Sequence, residues 1–413
     1  MSEEAPLDGV VVADFTHAVA GAYATMLLGD LGADVIKIER PGRGDSTRYM
    51  TVASRFADFR RSGGDYFLAI NRNKRSVTID LGCARGQELA LEIVDRSDVL
   101  VQSFRPGVME RLGLGWEHVH ARKESLVYAS LSAYGPNGRL GQQPGMDVAI
   151  QARSGIMSIT GYDGSAPVKA GVSAADFSGG IHLTAAILAA LVRRSRCGRG
   201  QLVTTSLLDA TMSMLSNYSV AVVDGDVELK PMGSGHPQLV PFQALETSDG
   251  FIVIAAGTNR LFRDLCRVLG CDALADDPSF ATNPARVANR GVLVTRLEAT
   301  LRTRSASHWL RVLEEAEVPC APIHSLREAF ADDEMVANGM LVALDHPTYG
   351  VIHVVNSPYR FDGVERTGHS RPPLLGEHTD QVLGSLLNLT EMEVAGLRAD
   401  GVIGAREGAE VEE

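Results

Sequence analysis

The 413-residue chain carries 51 acidic against 39 basic side chains, a formal charge of −12, with 45% apolar residues. That length calls for two or more cores, and the acidic balance argues against nonspecific nucleic-acid binding while leaving room for a local basic pocket. No apolar run approaches the roughly 20 residues of a membrane span, so no membrane partner is expected.

The acidic opening MSEEAPLDG has no apolar signal region, as expected of a cytoplasmic protein. Residues 9–15 (GVVVADF) form an apolar run of buried-strand type, 22–31 an apolar-periodic helix and 35–39 (VIKIE) a second strand. Strand, helix, strand in that span predicts a βαβ unit and a parallel sheet. The intervening loop, Thr16 to Gly21, then lies at the carboxyl end of the sheet, where such folds bind ligands. It contains no GxGxxG, so the dinucleotide fingerprint is absent. Arg40-Pro41-Gly42-Arg43-Gly44-Asp45 closes the second strand with two guanidinium groups. They suit either a phosphate or a solvated loop.

Asn71-Arg72-Asn73-Lys74-Arg75-Ser76 reads as a basic, amide-rich turn before a strand at 77–81. Its cations fit a solvated face or an anionic ligand. A helix at 86–94, strands at 98–101 and 126–131, and turns at Phe104-Arg105-Pro106-Gly107 and Tyr134-Gly135-Pro136 continue the alternation. Pro144-Gly145 precede a helix at 146–156 that carries Asp147.

Residues 168–191, VKAGVSAADFSGGIHLTAAILAAL, set one carboxylate, Asp176, among small residues at the head of an apolar helix. Small neighbours would admit a large group. The acid could be a nucleophile, or it could be the helix N-cap. A turn at 197–201, a strand at 202–206 and a helix at 207–215 follow. The Gly-rich stretch 224–237, with Gly233-Ser234-Gly235 and His236, reads as a mobile linker or lid. His236 beside Pro237 reads as structural. Asp249-Gly250 then marks a hairpin between strands at 242–247 and 251–255. Helices at 259–269, 292–301 and 307–316 complete a smaller α+β unit. A strand at 351–355, a helix at 390–397 and a charged, frayed end at 404–413 close the chain. The five cysteines form no CxxC pair, which argues for free, mostly buried thiols rather than disulfides or a zinc cluster.

These pieces together resemble the family III CoA-transferases, typified by formyl-CoA transferase and the carnitine-pathway CoA-transferases. The resemblance is carried in order by GVVVADFTHAVAGAYATMLLGDLGADVIKIERPGRGD, NRNKRSVTIDL, DVLVQSFRPGVMERLGLG, SAYGPNG, PGMDVAIQARSGIM, VSAADFSGG, CGRGQ, GSGHP, PFQALETSDG and LGEHTDQVL. It implies a Rossmann-like α/β large domain and a smaller α+β domain, with two chains interlocked as a homodimer. Residues 1–222 are expected to form the first part of the large domain, 223–330 the linker and small domain, and 331–413 a segment returning to the large domain.

The resemblance also implies that Asp176 attacks an acyl-CoA thioester, passing through an aspartyl-acyl anhydride and an aspartyl-CoA thioester. Asp147 and the Gly233-Ser234-Gly235 loop are expected beside it. CoA would be held by His17, Ala18 and Val19, by Arg40, by Asn73, Lys74 and Arg75, by Ser103, Phe104 and Arg105, and near Met146. Val19 stands where formyl-CoA transferase has glutamine, and Met146 where many transferases have tyrosine. Loops 51–61 and 220–230 are expected to line the acid pocket.

Three rival readings remain. A 2-methylacyl-CoA racemase would carry histidine where this chain has Met146, and a thioether cannot carry a proton at neutral pH. A non-catalytic CoA-binding protein would have no use for Asp176. A nicotinamide oxidoreductase lacks its glycine fingerprint. The sequence is therefore read as an acyl-CoA:carboxylate CoA-transferase with no cofactor beyond its CoA substrates and with a small carboxylic acid as acceptor. The missing polar group at Met146 points to an acceptor less polar than oxalate.

Overall fold

A computed structural model describes residues 5–56, 62–364 and 369–404. Part of the expected acid-pocket loop, 57–61, and nearly all of the charged end, 405–413, lie outside the described residues. The chain divides into two compact units: Met1–Ile156 with Lys169–Val227 and Ala337–Glu413, and Met157–Val168 with Glu228–Val336.

The first unit is built on six strands: β1 (Val11–Phe15), β2 (Asp34–Glu39), β3 (Lys74–Thr78), β4 (Val99–Gln102), β5 (Val127–Ser132) and β6 (Leu202–Ser206). They run parallel throughout, in the order β3-β2-β1-β4-β5-β6. Successive strand residues point to opposite faces, so both faces are apolar and both are covered. Ala13, Phe15, Ile36, Ile38 and Leu100 meet the Ala84–Arg96, Thr379–Leu387 and Glu391–Ala399 helices on one side. Val12, Val35, Val99 and Val127 meet the Ala20–Asp30 and Ala174–Cys197 helices on the other. The chain runs outward from β1 through β2 to β3 and then crosses back to the other side of β1 to enter β4. The resulting switch point opens a crevice beyond the carboxyl ends of those strands.

The Ala174–Cys197 helix has the length and apolarity of a membrane span, contrary to the expectation that no segment comes near that size. Its Ala175, Leu183, Ile187 and Ala190 are nonetheless fully buried against the sheet. Gly179 and Gly180 explain how close the neighbouring elements come. A Cβ on Gly180 would sit 2.7 Å from the Ala20 carbonyl oxygen, and one on Gly179 the same distance from Leu207 Cδ2. These two glycines thus admit neighbouring elements of the chain itself, the Ala20 backbone at Gly180 and the Leu207 side chain at Gly179.

β3 begins at Lys74, inside the stretch read as a basic turn. Its register against β2, with Val35 opposite Lys74, draws those cations into the sheet. An antiparallel hairpin, Leu341–His346 and Gly350–Val355, also belongs to the first unit.

The second unit carries an antiparallel sheet of Phe242–Glu246, Phe251–Ala255 and Cys320–Pro322. Its Asn259–Leu269 helix starts where the Thr258 hydroxyl accepts Leu261 N–H and stops at Gly270 with φ +66°. Thr258 caps the start, and glycine supplies the left-handed residue that ends the helix. Residues 157–168, assigned by the sequence reading to the large domain, join this unit. Tyr162 bridges to Met232, and Gly233 N–H donates to the Gly161 carbonyl at 2.7 Å. All five cysteines are free thiols, but only Cys266 is fully buried and Cys197 is exposed.

Candidate active site

The loop after β1 rests on charges hidden beneath it. Asp14 is fully buried and accepts from Thr16 N–H at 2.8 Å, Thr25 Oγ1 at 2.7 Å and Lys74 Nζ at 3.2 Å. Lys37 Nζ, also fully buried, donates to the Thr16 carbonyl at 2.9 Å and pairs with Asp45 at 2.8 Å. Asp45 in turn accepts Ala18 N–H at 3.2 Å, and Ser103 Oγ accepts His17 N–H at 3.1 Å. Ala18, at φ +61°, makes the tight turn in the left-handed region that side chains rarely adopt.

Each charge answers its neighbours. Burial alone would raise Asp45, but Lys37 brings its carboxyl down to about 2. Burial would likewise lower Lys37, yet Asp45 and Asp14 hold it above the usual range. Burial takes Lys74 down to about 8, which Asp14 only partly opposes. The His17 imidazole is lowered by burial against the opposing pull of Asp45.

Asp176 lies in the first turn of the Ala174–Cys197 helix and is partly buried. It is not the N-cap. Ser173 holds that position and makes no side-chain capping bond. The cap comes from another helix, Asp147–Ser154, whose Asp147 Oδ1 accepts Ala175 N–H at 2.9 Å. Gln151, one turn on, donates to Asp147 Oδ2 at 2.7 Å and accepts Ala170 N–H at 2.8 Å. Among the described residues no such donor is found for Asp176. Burial, then the Asp147 carboxylate, push its carboxyl up to about 7. Phe177 beside it meets Tyr23 edge-on, with ring centroids 4.9 Å apart.

The expected CoA-binding residues separate into two groups. His17, Ala18, Val19, Ser103, Phe104 and Arg105 gather at the carboxyl ends of β1 and β4, where the His17 and Phe104 rings lie 5.1 Å apart. Arg40 and Arg105 are exposed there, and Met146 caps the Asp147–Ser154 helix with 71% of its surface open. Phe104 and Arg105 also line a cavity of about 140 Å³ with Trp116, Tyr128 and Thr204.

Asn73, Lys74 and Arg75 do not join that group. Lys74 donates to Asp14, to the Ala22 carbonyl at 2.8 Å and to Asn71 at 2.8 Å, which occupies its three protons inside the core. It braces the loop after β1 from beneath. Asn73 accepts Ser370 N–H at 2.7 Å and donates to Asp30 at 2.9 Å, latching the C-terminal segment. Arg75 pairs with Asp34 at the amino end of β2. It faces a separate cavity of about 670 Å³ shared with His369, Arg371 and His378.

Gly233, Ser234 and Gly235 lie in the second unit. Gly233 has φ +61°, and a Cβ there would meet the Tyr162 ring at 2.5 Å. Ser234 Oγ accepts Ala244 N–H at 2.9 Å, and Arg290 Nη2 donates to the His236 carbonyl at 2.5 Å. The loop read as a mobile lid is thus tied down within its unit. Among the described residues no cluster of three His, Cys, Asp or Glu side chains is placed to hold a metal ion.

Sequence reasoning missed Asp14, Lys37, Asp45 and Gln151. The first two had a signal: a lone charge inside an apolar strand seldom stays there without a buried partner.

The family model described as CoA-transferase family III matches residues 7–379. The mouse succinyl-CoA:glutarate CoA-transferase is 37% identical over 398 residues, covering 96% of this chain and 90% of the relative. The succinate--glutarate CoA-transferase of Agrobacterium fabrum is 36% identical, covering 92% and 96%. A formyl-CoA:oxalate CoA-transferase of Bradyrhizobium is 32% identical, covering 96% and 97%. The crystal structure of a CAIB/BAIF family protein from Brucella suis superposes with a TM-score of 0.82 at 35% identity, over 93% of this chain and all of that one. A match along nearly the full length, supported by relatives above 30% identity and a shared fold, makes the chain a member of CoA-transferase family III and an acyl-CoA:carboxylate CoA-transferase.

Proposed function

We propose that the transfer proceeds through covalent intermediates on Asp176. Its carboxylate attacks the thioester carbonyl, the C–S bond breaks, and CoA leaves as a thiolate, giving a mixed anhydride. The thiolate then attacks the Asp176 acyl carbon, expelling the first acid as a carboxylate and forming an aspartyl-CoA thioester. The incoming acid repeats both steps in reverse order and restores the Asp176 carboxylate. Protons and charge balance at each step, and no cofactor beyond the CoA thioester is required. The observation that carries this reading is the state of Asp176, a partly buried carboxylate raised to about 7. A poorly solvated anion of this kind is a stronger nucleophile than one in water. Asp147 is a neighbour held by hydrogen bonds.

The CoA moiety is assigned to the crevice at the switch point, with His17, Ala18, Val19, Ser103 and Phe104 forming its wall and Arg40 and Arg105 meeting phosphates. Met146 borders the acyl group. Succinate and glutarate, in the names of the mouse and Agrobacterium relatives, are the acids to try first. Both carry a methylene chain that suits Val19 and Met146 better than oxalate would. The working unit is proposed to be an interlocked homodimer. The Ser216–Val223 helix, none of whose residues is buried in one chain, would be covered in it. Sedimentation at two protein concentrations checks this, and a monomer would remove the proposal.

Incubation with a panel of acyl-CoA thioesters and hydroxylamine in deuterated water, followed by peptide mass spectrometry, tests the route. A hydroxamate at Asp176, absent from Asp176→Ala, is expected. No adduct, with deuterium entering the acyl α-carbon, would instead indicate proton transfer of the racemase type.

A further inference from the structure

Two carboxylates stand at the head of the Ala174–Cys197 helix, and the structure distinguishes them sharply. Both oxygens of Asp147 are engaged, one by Ala175 N–H at 2.9 Å and the other by Gln151 Nε2 at 2.7 Å. Gln151 is fully buried, and its carboxamide is used at both ends. Its oxygen takes Ala170 N–H at 2.8 Å, and its nitrogen also lies 3.4 Å from the Val172 carbonyl. The segment leading into the helix, the capping carboxylate and the turn that bears Asp176 are therefore joined through one side chain. The carboxamide supplies at once the donor and the acceptor this position uses, which a carboxylate cannot.

We propose that Gln151 is a positioning residue for acyl transfer. It holds Asp147 in its capping orientation, so that Asp147 is withheld from the thioester and Asp176 alone is presented to it. This inference rests on the covalent reading above. Its physical basis is that short hydrogen bonds to both oxygens stabilise the Asp147 anion and hold it in the capping orientation, which makes it a weaker and misdirected nucleophile, whereas reaction requires a carboxylate in line with the carbonyl. Asp147 and Gln151 sit one helical turn apart, which places their side chains on the same face. Ser173 offers no capping bond of its own to take over if this arrangement is lost.

The test uses the full chain and three variants. Gln151→Met keeps the volume and removes all three side-chain hydrogen bonds. Gln151→Glu keeps the acceptor for Ala170 and removes the donor to Asp147. Asp147→Ala breaks the same arrangement one step further on. Hydroxamate formation at Asp176 is followed with the best acyl-CoA of the panel, together with amide exchange in residues 170–177.

In Gln151→Met we expect a loss on the order of tenfold in the rate of Asp176 modification at saturating acyl-CoA, with KM little changed. Ala175 exchange should speed up, and hydroxamate should begin to appear at Asp147. Gln151→Glu should lose rate while Ala170 stays protected, which separates positioning from general loosening. Gln151→Met added to Asp147→Ala should change the rate by less than about twofold, because the two act through one connection. Wild-type adduct with Gln151→Met unchanged, or fully multiplicative losses in the double variant, would overturn this inference alone. A wild-type chain that gives no Asp176 adduct would remove the covalent reading, and this inference with it.

Discussion

The Asp147 carboxylate stands close enough to Asp176 to act on its charge, while its own oxygen binds the peptide N–H immediately before it, that of Ala175. One acid is thus committed to holding the helix, and the other is left with a destabilised charge. Burial contributes most to that destabilisation and Asp147 adds to it, bringing the Asp176 carboxyl to about 7. Asp176 is thus the acid whose proton affinity is raised, and Asp147 the one that holds the helix.

The pH dependence follows from this value. The attacking form is the carboxylate, so the rate of Asp176 acylation should rise with pH through a midpoint near 7 and level off above it. Asp147→Asn removes the neighbouring charge and should move the midpoint toward acid, leaving the burial contribution. Rapid-quench acylation rates between about pH 5 and 9 would measure both midpoints. A wild-type midpoint in the ordinary carboxylate range would contradict the assignment.

Stability should run the other way. A carboxyl with its folded pKa above its unfolded value binds more protons when folded, so it withdraws stability as pH rises from about 4 to about 7. Asp176→Asn cannot ionise. It should therefore melt above wild type at alkaline pH and near wild type at acid pH, while losing covalent modification. Differential scanning calorimetry at the two extremes reads the difference.

The buried network under the loop after β1 should be unforgiving. Lys37→Met leaves Asp45 buried without its ion-pair partner and removes from Asp14 one of the two lysine charges that offset its burial. Breaking one side of a buried pair typically costs about 3–5 kcal/mol. A large fall in the urea midpoint is expected, and with it loss of acyl-CoA binding as the His17–Ala18 turn is released. A midpoint unchanged from wild type would show that the network contributes nothing.

Gly180→Ala tests the helix seat. The added Cβ would approach the Ala20 carbonyl oxygen to 2.7 Å, and neither backbone can yield without moving its helix. Overpacking of this kind costs about 1–3 kcal/mol. Gly171, where a Cβ meets nothing within 4 Å, is the control and should tolerate alanine.

Thiol chemistry should be selective and harmless to transfer. Cys197 is exposed at the far end of the helix that begins beside Asp176, roughly 30 Å away by helical rise. It should react first with iodoacetamide, Cys266 should react last, and modification of Cys197 alone should leave the transfer rate unchanged. Loss of activity on that first modification would contradict the placement.

Local order along the chain already determined much of this protein. The alternation of GVVVADF, an alanine-rich helix and VIKIE can be satisfied only by a parallel sheet, because short apolar strands joined by helices must bury both faces. Asp249-Gly250 between alternating runs likewise specifies its hairpin, and Thr258 with Gly270 brackets the helix between them. The ordered motifs identified the family and singled out Asp176.

Tertiary structure decided what each charge is for. Lys74 and Arg75 are neighbours of like type in the sequence, yet strand alternation buries one beside Asp14 and turns the other to Asp34 at the sheet's amino edge. Asp147 and Ala175 are 28 positions apart, and Asn73 and Ser370 are 297 apart. No periodicity within a segment can encode such pairs, because their energy exists only once the register of distant elements has been set. The assignment of residues 157–168 to the second unit rests on the same kind of contact, Tyr162 with Met232. Patterning selects elements through local burial, whereas the meaning of a carboxylate or an amide depends on which donors the finished fold brings to it.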